Sequence, residues 1–263
     1  MGYIGRKLRE RRILFPQSQR GLIVPVDHGF TLGPILGMKE TGDFEGWISS
    51  SNISAVLAHK GVIERLILRG MLHSSTGVIV HLNGMMSIAP DADTKVMVSN
   101  IDTALQLGAD AVSVQVNFTA GNFHHNIALL GAVTDAAHAA GLPILIMLYD
   151  KVKTPSQAEA AERLHHLLRV VAEMGADAIK LAFPDSDAVL ADLVARHSRD
   201  IRIFFAGGEN TAEEVLMAKI RVALAHGANG LCVGRHVFQH PRPQVLLRQL
   251  ADCIKGETER VVE

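Results

Sequence analysis

The chain has 263 residues, 48% of them hydrophobic and 20% charged, and 26 Lys plus Arg face 27 Asp plus Glu for a net charge of −1. Such balance argues against a nucleic-acid-binding protein, whose affinity rests on phosphate contacts, and the length buries a large core without disulfide or metal staples. The longest apolar runs, such as Pro143–Tyr149, are far shorter than the roughly 20 residues that span a bilayer, no secretory signal opens the chain, and Cys232 and Cys253 read as reduced thiols, so a cytoplasmic protein with one domain over 1–263 is expected.

Residues 1–20 read as a short helical extension. It carries Arg6, Lys7, Arg9, Arg11 and Arg12, which suit either an anion-binding arm or a solvated helix face covering the bottom of the domain. Eight short β-rich runs follow, at Gly21–Val26, Ile53–Leu57, Val78–Leu82, Ala111–Val116, Ile144–Tyr149, Ala178–Ala182, Ile201–Phe205 and Gly230–Val233. Longer helical stretches separate them. Several runs are apolar on both faces, as parallel strands covered by helices must be. Three of them are preceded by Gly108-Ala109-Asp110, Gly175-Ala176-Asp177 and Gly227-Ala228-Asn229. Glycine suits the left-handed end of a helix, and Asp or Asn suits the turn into the strand. Leu164, Leu167, Leu168, Val171 and Met174 carry the spacing of an amphipathic helix. The pattern predicts an α/β chain closed as a single (β/α)8 TIM barrel. An open doubly wound sheet would need a glycine-rich loop after an early strand, and the first strand instead ends in Asp27-His28-Gly29.

In such a barrel the site lies at the C-terminal strand ends, and polar residues gather there. Asp27 and His28 end the first strand, His59-Lys60 the second, His81 and Asn83 the third, and Gln115 and Asn117 the fourth. Tyr149 and Asp150 close the fifth, Lys180 interrupts the sixth, and Gly207-Gly208 and Gly234-Arg235 follow the last two. A lysine inside an apolar strand is desolvated, which lowers its pKa and favours a neutral amine able to form an imine with a ketone. The bland alternative is a core lysine whose head pairs with a carboxylate such as Asp27. Tyr149 can pass a proton to a substrate oxygen, and Asp27 can act as a base or hold a hydroxyl. The glycines and Arg235 suit a phosphate held by backbone N–H groups and a guanidinium. No metal is expected, although His28, His59 and His81 could converge. His124-His125 and His165-His166 are adjacent pairs that point about 100° apart on a helix, and no HxH spacing or accompanying glutamate pattern supports a metal site.

Several short segments together resemble a known family. They are Ile23–Gly29 with Gly33-Pro34, Ala55–Gly61, His81-Leu82, Gly108–Ser113, and Val233-Gly234-Arg235 running to His240. From about residue 5 to about 250 the chain resembles the archaeal-type class I aldolases of the DeoC/LacD superfamily, most closely its 2-amino-3,7-dideoxy-D-threo-hept-6-ulosonate synthase branch. The resemblance implies a barrel that forms ring-like homo-oligomers and needs no metal or other cofactor. It implies Lys180 as the Schiff-base lysine, Tyr149 as proton donor and Asp27 as acid/base. It places the phosphorylated sugar against His28, Gly29, Phe30, Thr31, Gly207, Gly208, Gly234 and Arg235. Asp150 and Lys151 stand where the family continues Pro-Arg after the tyrosine, and they complete the candidate substrate contacts.

The implied reaction makes or breaks a carbon–carbon bond in a phosphorylated ketose, the enamine adding to a small aldehyde such as aspartate semialdehyde. Relatives of the same family imply alternatives: a fructose 1,6-bisphosphate or dihydroxyacetone phosphate aldolase, as in aminohydroxybenzoate formation, or a thiolase. A barrel that binds a ligand without turnover is the alternative from another class. Beyond the paired glycines the family's Pro-Lys is replaced by Glu209-Asn210, and beyond the lysine its Thr-x-Tyr-x-Gly becomes Leu181-Ala182-Phe183-Pro184. The chemistry therefore carries over more directly than the substrate.

Overall fold

The computed structural model describes residues 2–208 and 212–256. All eight expected strands form, and every neighbouring pair is parallel: β1 Gly21–Pro25, β2 Ala55–His59, β3 Gly77–His81, β4 Ala111–Phe118, β5 Ile144–Asp150, β6 Ala178–Ala182, β7 Arg202–Ala206 and β8 Gly230–Cys232. Neighbours in the chain are neighbours in the sheet, and β8 closes on β1 through Gly21 opposite Gly230. The helices are α1 Gly2–Arg12, α2 His28–Leu32, α3 Lys60–Leu68, α4 Ile101–Gln106, α5 Phe123–Ala139, α6 Gln157–Glu173, α7 Asp187–His197, α8 Glu213–Ala225, α9 Arg235–Phe238 and α10 Pro243–Lys255. After β3 the chain adds a small hairpin that the sequence pattern did not announce, Asn83–Gly84 antiparallel to Val96–Met97. Strands of two residues are too short to show alternation. No helix among the described residues is long and apolar enough to cross a membrane.

The strands alternate between two apolar surroundings, as a period of two requires. Ile23, Ala55, Leu57, Ile79, Ala111, Leu145, Met147, Ala178, Phe204 and Cys232 form the interior cluster, with Tyr149 packed on it. Their neighbours, such as Val24, Val56, Val80, Val112, Ile146, Ile179, Phe205 and Leu231, meet the helices in the larger outer cluster. Lys180 lies two residues beyond Ala178 and so takes an inward position on β6.

The bottom of the barrel shows what the recurring Gly-Ala-Asp/Asn phrase does. Gly108, Gly175 and Gly227 have φ of 73°, 91° and 101°, the left-handed turn that glycine adopts without strain. The next polar side chain then takes a backbone N–H at the start of the preceding strand. Asp110 accepts from Val78 at 3.0 Å, Asp177 from Ile144 at 3.0 Å and Asn229 from Ile203 at 3.0 Å. The basic residues of α1 dock onto the same loops. Arg6 lies 3.3 Å from Asp177, Arg12 lies 3.1 Å from Asp110, and Arg9 donates to the Gly141 carbonyl at 2.8 Å. Between them the buried Glu10 receives Arg202 at 2.5 Å and Lys7 at 3.0 Å. These contacts make α1 a helix that covers the barrel's bottom, with Ile13 and Leu14 entering the interior cluster behind it.

Candidate active site

At the other end, a cavity of about 230 Å³ opens on Lys180. Tyr149, His28, the Gly207-Gly208 pair, Gly234 and Arg235 line it as well. Sequence reasoning thus named seven residues that share one cavity, drawn from β5, β6 and the segments that follow β1, β7 and β8. Lys180 on β6 stands in register with Met147 on β5, and its Nζ lies 3.9 Å from the Met147 Sδ. Tyr149 follows two residues on, on the same inward face and nearer the mouth.

Asp27 sits at the head of α2 and faces two histidines. Its Oδ1 is 3.4 Å from His28 Nδ1 and its Oδ2 is 3.9 Å from His81 Nε2. His81 Nδ1 is 2.7 Å from the Ser113 hydroxyl, and the His59 ring stands 5.0 Å from the His81 ring, centroid to centroid. Burial pushes His81 down to about 3, and pushes His28 and His59 down as well, against the pull of the Asp27 carboxylate. With His81 neutral, the Ser113 hydroxyl donates to Nδ1 and the Nε2–H faces Asp27. Burial pushes Asp27 up, but His28, His81, Lys180 and His59 outweigh it and hold the carboxyl at about 2. Three histidines do converge, yet no group of three or more His, Cys, Asp or Glu residues among those described has the geometry of a metal site.

The state of Lys180 corrects the expectation of a neutral amine. Burial pushes its pKa down, whereas the Asp27 carboxylate, together with Cys232 and Tyr149 where these are ionised, pushes it up, and the net direction is upward. The resting side chain is an ammonium, so it must give up a proton before it can attack a carbonyl. Cys232, on β8, is itself pushed up to about 11 by burial, so it is a neutral thiol in the physiological range.

The phosphate-suited glycines are demanded by packing. A Cβ on Gly234 would come within 2.7 Å of both His28 Cε1 and the Pro25 carbonyl. A Cβ on Gly207 would stand 2.5 Å from Val233 and 2.8 Å from the His236 ring. Packing against His28, Pro25, Val233 and His236 thus leaves no room for a side chain at either position. Glu209 and Asn210, which replace the family's Pro-Lys, lie outside the described residues.

Other expected contacts fall elsewhere. Phe30 packs on His59 at 4.6 Å between ring centroids, and Thr31 accepts from Ser87 N at 2.8 Å, so both brace the segment after β3 and do not line the cavity. The Gly29 carbonyl accepts from Gly33 N at 3.0 Å within α2. Asp150 is gripped by Arg163 from α6 at 2.9 and 3.0 Å, while Lys151 is exposed beside it. The residues that sequence reasoning passed over are Met147, Cys232 as a neighbour of Lys180, His236 and the buried Lys95. Lys95 stands among Asp91, Asp93 and Thr94, a composition that reads as a turn.

Residues 21–240 match the sequence family described as DeoC/LacD family aldolase. The chain is 31% identical over 256 residues to a 2-amino-4,5-dihydroxy-6-oxo-7-(phosphonooxy)heptanoate synthase of Streptomyces griseus, covering 97% of this chain and 92% of the relative. It is 30% identical over 262 residues to the 2-amino-3,7-dideoxy-D-threo-hept-6-ulosonate synthase 1 of Archaeoglobus fulgidus, covering 99% and 95%. Among solved structures, an archaeal fructose-1,6-bisphosphate aldolase with its catalytic lysine bound to the carbinolamine intermediate superposes with a TM-score of 0.82. The identity is 22%, over 95% of this chain and all of that one.

Proposed function

Because this chain belongs to the DeoC/LacD family of aldolases, we propose that it is a class I aldolase or transaldolase in which Lys180 forms an imine with the ketone of a phosphorylated ketose. The observation that carries this reading is the buried Lys180 sharing one cavity with Tyr149 and with the Gly207-Gly208 and Gly234-Arg235 turns. The relatives' names point to the same substrate class: a phosphonooxy group on one product and a sugar bisphosphate in the structural neighbour.

The chemistry follows from the placement. Lys180 releases its proton and its amine attacks the ketone carbon; the carbonyl oxygen takes a proton from the new C–N nitrogen and then the proton of Tyr149, and leaves as water, so that Tyr149 is left as a phenolate. The resulting protonated imine draws in the electron pair of the adjacent carbon–carbon bond, while the hydroxyl on the departing fragment gives its proton to Tyr149. An enamine and a free aldehyde result. The enamine then adds to a second aldehyde, whose oxygen takes the proton back from Tyr149, and water releases the product from Lys180. Asp27, held anionic, balances the positive nitrogen throughout. Gly207, Gly208, Gly234 and Arg235 hold the phosphate with backbone N–H groups and a guanidinium. We infer further that the protein acts in the cytoplasm as a homo-oligomer. The exposed apolar side chains of Val96, Met97, Leu105 and Ile127, around the hairpin, α4 and α5, support an assembly.

The test is borohydride trapping with dihydroxyacetone phosphate, and separately with fructose 1,6-bisphosphate, in the presence of EDTA, followed by peptide mass spectrometry. A substrate-sized adduct on Lys180 is expected. Its absence with both sugars overturns the reading.

A further inference from the structure

The bottom of the barrel holds a second cavity, of about 480 Å³, at the end opposite the mouth. Its walls are α1, which brings Tyr3, Arg6 and Lys7, the segment leading into β7, which brings Arg199 and Arg202, and Asn229 ahead of β8. Four cations therefore line one space, against the three carboxylates of Glu10, Asp177 and Asp200.

Two of those carboxylates are already engaged. Glu10 takes both Arg202 and Lys7. Asp177 accepts from Ile144 N at 3.0 Å, lies 3.3 Å from His138 Nε2 and faces Arg6 Nε at 3.3 Å. The contact with Arg6 is an ion pair without a hydrogen bond: Arg6 Nε is buried and has no acceptor. A cation–π contact, 5.6 Å to the Tyr3 ring centroid, braces this guanidinium. Arg199 is exposed, and it has neither an ion pair nor a hydrogen bond among the described residues. The two arginines carry about ten N–H donors between them, and none of these finds an acceptor among the described residues. A buried donor without an acceptor is destabilising, and an oxyanion in the cavity removes that cost.

We propose that this cavity is a second ligand site, which takes a small organic oxyanion, a phosphate ester or a carboxylate, between Arg6 on α1 and Arg199 ahead of β7. A guanidinium fork matches both groups. The volume calls for a ligand of metabolite size, since about 480 Å³ is far more than a bare ion fills and falls within the range of small-molecule sites. Position gives the ligand a role. An anion shared by α1 and the segment before β7 adds a tie between the sealing helix and the barrel, and that tie exists while the ligand is bound and stabilises the folded chain by mass action. The inference stands apart from the chemistry at the mouth, because the two cavities share no lining residue.

The test titrates 3-phosphoglycerate, glycerol 3-phosphate and succinate into the protein by isothermal calorimetry at constant ionic strength, with sodium chloride as the blank. At least one of them is expected to bind, and to bind about tenfold or more weakly in Arg199→Gln and in Arg6→Gln, the worth of one charge-assisted contact. Glycerol 3-phosphate binding without succinate assigns the site to phosphate esters, and the reverse assigns it to carboxylates. The bound probe is expected to raise the thermal midpoint of the wild type and not of the variants. Arg199→Gln alters an exposed side chain without partners, so its midpoint without ligand should equal that of the wild type. An affinity unchanged in either variant overturns the inference, by assigning the binding to another place such as the mouth. Heats no larger than the chloride blank with all three probes overturn it as well. Borohydride trapping at Lys180 is expected to be equal in the wild type and both variants, so its failure bears on the Schiff-base reading alone.

Discussion

Lys180 and Met147 face each other in register across β6 and β5, and the lysine's Nζ is 3.9 Å from the methionine's Sδ. A thioether is a weak acceptor, so the ammonium sits deep in the barrel with little local solvation beyond the field of Asp27. Lys180→Met would replace a buried charge by a side chain of similar volume. The expected outcome is activity at background with the fold intact. Stability should be unchanged or raised by about 1–4 kcal/mol, as when buried charges give way to packed apolar groups. Thermal unfolding alongside an aldol-cleavage assay checks both parts.

Tyr149→Phe keeps the ring on the interior cluster and removes only the hydroxyl. Carbon–carbon bond cleavage is expected to slow by about 100- to 10,000-fold. The Lys180 adduct with dihydroxyacetone phosphate should form more slowly as well, because the phenol also gives the proton with which the carbonyl oxygen leaves. Full activity in this variant would remove Tyr149 from the mechanism.

Gly234→Ala introduces a methyl that meets His28 Cε1 and the Pro25 carbonyl at 2.7 Å. The turn must shift, and Arg235 with it. KM for a phosphorylated donor is expected to rise by about tenfold or more, the worth of one well-placed contact, with a smaller change in kcat. Steady-state kinetics on fructose 1,6-bisphosphate separates the two.

Acid sensitivity follows from His81. Its imidazole is pushed down to about 3 by burial, from an ordinary 6.5. Between those values the unfolded chain binds a proton that the folded chain refuses, so stability is full above about pH 6.5 and falls as the pH drops toward 3. Asp27, at about 2 against an ordinary 3.8, adds a loss below about pH 4 in the same direction. Unfolding free energies from urea titrations at pH 7, 5.5 and 4.5 should decline by on the order of 3 kcal/mol in all. In His81→Gln the decline should flatten.

Glu10 is the corresponding pressure point at the bottom. Glu10→Ala leaves Arg202 without its 2.5 Å partner and frees Lys7. A loss of about 2–4 kcal/mol is expected for breaking a buried pair. The kcat of the remaining folded enzyme should not change, since the mouth is at the opposite end. Calorimetry at matched protein concentration, with kinetics at 25 °C, tests the separation.

Most of the barrel was legible because each strand carries its own period of two and each helix its own apolar stripe. The candidate site was legible to the extent that it depends on chain position, as Lys180, Tyr149 and the glycine turns do. What remained hidden depends on closure. That Cys232 stands beside Lys180 follows from β8 returning to β1, and no local pattern encodes it. The charge of Lys180 was misjudged for the same reason: burial is readable from an apolar strand, whereas the opposing groups arrive from elsewhere in the fold, Tyr149 on β5, Cys232 on β8 and Asp27 at the head of α2. Asp150 looked like a substrate contact by position, but Arg163, thirteen residues on, grips it from the next helix. Lys95 was missed because a short polar loop gives no sign of how deeply the fold will seat one of its side chains.

Among the described residues, α1 seals the bottom, through Arg6, Arg9 and Arg12 outside and Ile13 and Leu14 inside, and leaves the mouth as the door of the vessel. Whatever leaves Lys180 must leave by the way its successor enters. A two-substrate reaction in such a vessel therefore takes turns: the first aldehyde departs before the second arrives, and the lysine keeps hold of the fragment between visits. An excess of either aldehyde then competes for the doorway, so each would slow the exchange of the other.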